Sequence, residues 1–118
     1  MKEIKKWHVY LAKLDPTIGS EQGKTRPVLV ISEDDINILL NCVNIIPITT
    51  RQKGRFIYPN EVLLPIDSCG LVSESIALCH QIRTIDKIRL ISYFGKIETS
   101  LLKKEIYDAI MFQIGLPL

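Results

Sequence analysis

Up to residue 98 the apolar residues of this chain come in short runs and not in the three-and-four spacing of a helix face. "WHVYLAKL" (7–14), "PVLVIS" (27–32), "CVNIIPITT" (42–50) and "EVLLP" (61–65) are rich in β-branched, aliphatic or aromatic residues, and each gives way to a turn or loop. "SESIALCHQIRTID" (73–86) holds a strand through Ile82, and "ISYFGKIE" (91–98) holds the last one. Short runs of this composition, punctuated by Gly, Pro, Asn and Asp, predict strands. One stretch, "EDDINILLN" (33–41), fits either a short helical turn or an irregular crossing. Helical spacing is clear only after residue 99. Leu102, Ile106, Ala109, Ile110 and Ile114 form one stripe, Ser100 can cap it, and Gly115 with Pro117 ends it. Strands and helices do not alternate, which argues against a parallel, doubly wound sheet. The pattern predicts an α+β, mainly β chain: a curved antiparallel sheet or small barrel, with one C-terminal amphipathic helix packed on it.

Two local features refine this picture. Val28, Leu29, Val30 and Ile31 run together without a polar residue, which predicts a strand buried on both faces. Pro47 lies inside the 42–50 run and has no N–H for a ladder, so an edge, a bulge or a register break is expected there. With 118 residues, a single domain spanning 1–118 is expected.

Composition narrows the function classes. The formal net charge is only +2, so a nucleic-acid binder is not announced by bulk charge. Any basic footprint has to come from clustering. The three cysteines, Cys42, Cys69 and Cys79, are odd in number and lack the short spacing of a zinc or redox motif, which predicts buried thiols in a reducing compartment. No apolar run approaches the ~20 residues of a membrane span. "MKEIKKWHVYLAKLD" has a basic start but no apolar stretch or cleavage site of an export signal. The expected location is the cytoplasm, with no membrane partner.

"GSEQGKTRPVLVIS" (19–32) contains Gly-Lys-Thr, the ending of a phosphate-cradling loop. Such a loop needs four residues between its glycines and a helix starting at the Lys, so that backbone amides point at the phosphates. Gly19 and Gly23 enclose three residues, and a strand-forming run follows Pro27. Nucleotide hydrolysis is therefore not expected. Because the residue before a proline is pushed out of the helical region, Arg26 is expected to be extended at the mouth of a rigid strand, below a polar loop carrying Ser20, Glu21, Gln22, Lys24 and Thr25. A guanidinium fixed there suits a phosphate oxygen, although a solvated strand-end Arg is the plainer alternative.

Three blocks, "DPTIGSEQGKTRPVLVIS" (15–32), "IPITTRQKG" (46–54) and "HQIRTIDKIRL" (80–90), resemble the MazF/PemK/Kid family of toxin endoribonucleases, in that order and spacing and over roughly residues 7 to 116. The resemblance implies an SH3-like barrel with added helices. It also implies a metal-independent ribonuclease without cofactors, which cuts single-stranded RNA at short sequences, forms a two-fold homodimer and is inhibited by a cognate antitoxin. The family's catalytic Arg matches Arg26 and its catalytic Thr matches Thr49, with Thr50 beside it. An acidic position matches His80, and an RNA-reading position matches Gln81. Two departures stand out: Trp7-His8 where many relatives have Gly-Asp, and Ser20 where some have His. The alternative is a non-catalytic binder on the same fold, either a gyrase poison or an antitoxin-binding regulator.

On this reading Arg26 stabilises charge on the phosphorane-like transition state, Thr49 holds a non-bridging oxygen, and His80 moves protons. The 2′-hydroxyl of RNA is the nucleophile, and the products are a 2′,3′-cyclic phosphate and a 5′-hydroxyl. Ser20, Glu21, Gln22, Lys24, Pro27, Thr50 and Gln81 are candidate substrate contacts. So are Arg51 and Lys53, which with Arg55 form a basic loop that is either a phosphate track or simply solvated. Phe56 and Tyr58 interleave with these charges and are candidates to stack bases. Glu21 either pairs with Arg26 or sits in water.

Overall fold

A strand with neighbours on both sides and layers on both faces has to be apolar throughout, and the run after Pro27 meets that condition. In the computed structural model, which describes residues 3–117, Thr25–Val30 forms β2, and Val28, Leu29 and Val30 have no solvent exposure. It lies between β1 (His8–Lys13) and β3 (Cys42–Thr50), antiparallel to both. The other strands are β4 (Glu61–Leu64), β5 (Ser75–Leu78), β6 (Arg83–Asp86) and β7 (Leu90–Lys96). The sheet order is β4-β5-β3-β2-β1-β7, with β6 also on β3. Among the described residues there are two α-helices: the short α1 (Asp34–Leu39) at the ambiguous stretch, and α2 (Ser100–Ile114). Among the described residues no helix is long and apolar enough to cross a membrane.

Burial is split between two apolar clusters. One gathers Val9, Leu29, Ile46 and Ile48 under Ile106 and Ala109 of α2; the other gathers Tyr10, Ala12, Val28, Val30, Val43 and Ile45 with Leu14 and Ile85. Odd and even residues of β1 and β2 fall into different clusters, as the period of two requires. The helix stripe is as expected at Leu102, Ile106, Ala109 and Ile110, but Ile114 is exposed. The cap is Thr99, whose Oγ1 accepts from Leu102 N–H at 3.3 Å, while Ser100 is already helical; Gly115 ends the helix in the left-handed region (φ 73°).

Three expectations are altered. First, 73–86 does not hold one strand. A 3-10 turn at Cys79–Gln81 divides it, so β5 pairs with the end of β3 (Ile48–Thr50) and β6 with its start (Cys42–Ile45). Second, the sheet is not closed into a barrel: β4 and β7 end the strand order. Third, Pro47 brings neither a bulge nor a shift of register with β2. The β2–β3 ladder ends at Val28↔Pro47, and β3 continues on its other side with β5.

The gap that a closed barrel would fill with a ladder is bridged by two glycines. Gly70, in the loop after β4, sits at φ 80° against the Phe94 carbonyl, and a Cβ on Gly95 would lie 2.7 Å from the backbone of Cys69. Neither position has room for a side chain. Gly70→Ala is expected to cost about 2–4 kcal/mol from overpacking and backbone strain together, read as a lower thermal midpoint.

All three cysteines are free thiols, two of them buried. Burial pushes the Cys79 thiol up to about 12 and raises that of Cys69, as fits structural thiols.

Candidate active site

The site grows out of strand register. Val28 pairs with Pro47, so two further steps along the same antiparallel register bring Arg26 opposite Thr49. Pro47 has no N–H with which to extend the ladder, and the two strands part there. Between them opens a cleft of about 400 Å³ lined by Thr25, Arg26 and Pro27 of β2, Ile48, Thr49 and Thr50 of β3, the loop 70–73, Ser75 and Phe94. Arg26 Nη1 donates to Thr49 Oγ1 at 3.4 Å, and Arg26 Nε donates to the Gly23 carbonyl at 2.9 Å. Both side chains are half-buried, so neither is sealed from the cleft.

The electrostatics follow from what Arg26 lacks. Among the described residues no carboxylate lies within ion-pair distance of it. Glu21 does not serve: its Oε1 accepts from Ile18 N–H at 2.8 Å within its own loop. The cleft therefore holds one uncompensated guanidinium ringed by hydroxyls from Thr25, Thr49, Thr50, Ser73 and Ser75. Such a lining attracts and orients a phosphate diester and supplies donors to an oxygen that gains charge.

Gln81 tethers the loop between β1 and β2. From the 3-10 turn its Oε1 accepts from Gln22 N–H at 3.3 Å, and its Nε2 donates to the Ser20 carbonyl at 3.2 Å. The loop between β1 and β2 is thus tied to the break between β5 and β6, and the same loop carries the Gly23 carbonyl that steadies Arg26. Gln81→Ala is expected to speed hydrogen exchange at the Gln22 amide. Loss of two neutral hydrogen bonds, each worth about 1 kcal/mol, should lower any activity of the cleft about tenfold.

His80, on the same turn, is exposed and opens onto a second hollow with Arg55, Tyr58, Asn60, Glu61 and Phe112. The structure does not bring it to Arg26 and Thr49. His8 lines a third hollow with Lys5, Lys96 and Lys103, and burial, then the charges of Lys96 and Lys5, lower its pKa.

The basic loop 51–60 is largely committed to its own structure. Arg51 donates Nε and Nη2 to the Arg55 carbonyl at 3.0 and 2.7 Å, and Nη1 to Glu74 at 3.1 Å. Arg55 forms a two-pronged pair with Glu61, at 2.9 and 2.8 Å. Of the loop's three cations Lys53 alone is exposed, and Lys24, in the loop between β1 and β2, is exposed as well. Phe56 and Tyr58 are exposed and stack edge-on with each other at 4.9 Å. Sequence reasoning missed the Arg55–Glu61 pair, Ser73, Ser75, and the wall formed by Leu71, Val72 and Phe94. The turn-forming residues "DSCG" (67–70) precede that wall in the chain and carry no register.

Residues 5–112 match the family model described as PemK-like, MazF-like toxin of type II toxin–antitoxin system. The chain is 34% identical over 113 residues to Endoribonuclease EndoA of Bacillus subtilis, covering 96% of each chain. It is 36% identical to Endoribonuclease MazF of Staphylococcus saprophyticus, covering 96% of this chain and 92% of that one. Among solved structures it is similar to MazF from Deinococcus radiodurans (TM-score 0.82, 27% identity, 98% of this chain and 100% of that chain). A MazE–MazF structure from the same organism also matches (TM-score 0.75, 26% identity, 99% and 100%).

Proposed function

The chain belongs to the family of PemK-like, MazF-like toxins of type II toxin–antitoxin systems, and from that premise we propose that it is an endoribonuclease toxin acting on single-stranded RNA. The observation that carries the reading is the Arg26–Thr49 pair, 3.4 Å apart in an open cleft with no carboxylate against the guanidinium. Arg26 binds the scissile phosphate and stabilises the charge that builds on it. Thr49 holds the phosphate by a non-bridging oxygen, so that the attacking 2′-oxygen lies in line with the leaving 5′-oxygen as the bond to the latter breaks. The neighbouring ribose supplies the attacking 2′-hydroxyl, so the products are a 2′,3′-cyclic phosphate and a 5′-hydroxyl. Metal independence is part of the proposal, and it is supported by a lining that offers no carboxylate, imidazole or thiolate to a cation.

The proton-transfer role expected of His80 has no support in its placement. His80→Ala is expected to fall far short of the ~10²–10⁴-fold loss that removal of a general base brings. A loss of that size would return the imidazole to the chemistry.

The proposal extends to a two-fold homodimer in the cytoplasm, inhibited by a cognate antitoxin. Likeness to a MazE–MazF structure supports the last point. The test is digestion of a long single-stranded RNA in EDTA, with the 5′-ends of the fragments mapped. Cuts at a recurrent short sequence, bearing 5′-hydroxyls, are expected; intact RNA would reject the reading.

A further inference from the structure

The cleft has two unlike walls, and the chemistry proposed above uses one of them. Arg26, Thr49 and Thr50 form the polar wall, while Leu71, Val72 and Phe94 form an apolar one that a phosphate alone would leave idle. Both rim residues of that wall are open to water: Phe94 is 38% exposed and Val72 84%. We propose that this wall takes the base of the nucleotide bearing the phosphate held by Arg26 and Thr49. Phe94 is the stacking ring and Val72 the rim that limits base size. The inference rests on the ribonuclease reading and assigns a specificity determinant to it.

Three observations carry it. The wall lies in the same cleft as the phosphate contacts, and its ~400 Å³ falls in the range of ligand sites, so one nucleotide spans both walls. The wall is also rigid. Gly70 abuts the Phe94 carbonyl and Gly95 abuts Cys69, which locks the backbone beside Val72 to the backbone beside Phe94. A preformed slot of that kind discriminates by shape with little ordering cost. Finally, Ser73 sets a hydroxyl in the same lining, within the cleft that the base would share. Unstacked RNA bases are read in this manner, by an aromatic face together with hydrogen bonds to the base edge.

The test begins with the cut sites mapped for the wild type. Phe94→Ala should lower kcat/KM about 10- to 100-fold, chiefly through KM, and relax the preference at one base beside the cut. Phe94→Leu keeps apolar bulk without the ring and should show the same relaxed preference, which separates loss of stacking from a folding defect. Phe94→Trp keeps an aromatic face at this position and serves as a reporter of binding. Its indole fluorescence should be quenched by a 2′-O-methyl oligoribonucleotide carrying the mapped site, and an abasic residue at the stacked position should abolish that quenching. If Phe94→Ala and Phe94→Leu cut the same sites with wild-type kcat/KM, the inference falls while the ribonuclease reading stands. It falls equally if the variants lose only antitoxin binding. If the wild type cuts no RNA, both fall together.

Discussion

Arg26→Ala should leave the protein folded and reduce RNA cleavage by about 10²–10³-fold or more, mostly in kcat. The fold is expected to survive because the side chain is half-buried and makes two hydrogen bonds, to Gly23 and Thr49, with a net worth of about 1 kcal/mol each. Activity is expected to collapse because, among the described residues, this guanidinium is the one positive charge lining the cleft. Arg26→Lys should recover little of it. The Nε donation to the Gly23 carbonyl aims the planar fork, and an ammonium on a flexible stem reproduces neither the aim nor the two-pronged contact. The measurement is single-turnover cleavage of an RNA carrying the mapped site, alongside circular dichroism and thermal melting of the same samples. Wild-type rates for Arg26→Ala would remove the basis of the proposed mechanism.

The largest effect on stability is expected at Arg55. Glu61 opens β4 with its side chain only 2% exposed, and its oxygens accept two bonds from Arg55 and one from Tyr58 N–H. Arg55→Ala would leave that carboxylate buried with the backbone amide as its remaining partner. Breaking a buried pair from one side typically costs about 3–5 kcal/mol, which for a domain of this length lowers the thermal midpoint by roughly 10–20 °C. The pH dependence has a definite sign. The hydrogen bonds from Arg55 hold the Glu61 carboxyl below its usual value in the folded protein, despite the opposing effect of burial. The pair's contribution is thus fully present above the unfolded carboxylate pKa and is lost as the pH falls through the folded one. Without Arg55 the largest cause that lowers the Glu61 pKa is gone. The stability gap between wild type and Arg55→Ala should therefore narrow from pH 7 towards pH 3, and urea melts across that range measure it. A gap that stays constant would show that the pair contributes nothing of its own.

The legible parts of this molecule were those governed by neighbours in sequence. Val28 to Val30 announced a doubly buried strand, and the Arg26–Pro27 step announced an extended Arg at its mouth; both follow from local sterics and composition. The spacing of Leu102, Ile106 and Ala109 gave the helix for the same reason. That Arg26 should face Thr49, 23 positions away, is a matter of register, and the family resemblance supplied the pairing that local rules could not. The division of 73–86 was hidden because Cys79-His80-Gln81 carries no Gly or Pro to mark it. The break exists because β3 offers its two ends to two different partners. The tether that Gln81 forms with Ser20 and Gln22 was not legible, and Glu61 gave no hint of its burial against Arg55. The unclosed barrel has the same origin, since the Gly70–Gly95 approach joins segments that no local rule connects.

That glycine contact also sets when the cleft comes into being during synthesis. Arg26 and Thr49 leave the ribosome early, but the wall opposite them waits for β7, whose residues reach their place by pairing with β1 at the far end of the order of emergence. A nascent chain that stops before residue 90 carries both polar groups on an unfinished groove, without the Phe94 ring and without the contact between Gly70 and the Phe94 carbonyl. Completion of the cleft is thus among the last events of synthesis, because Phe94 belongs to the last strand to emerge.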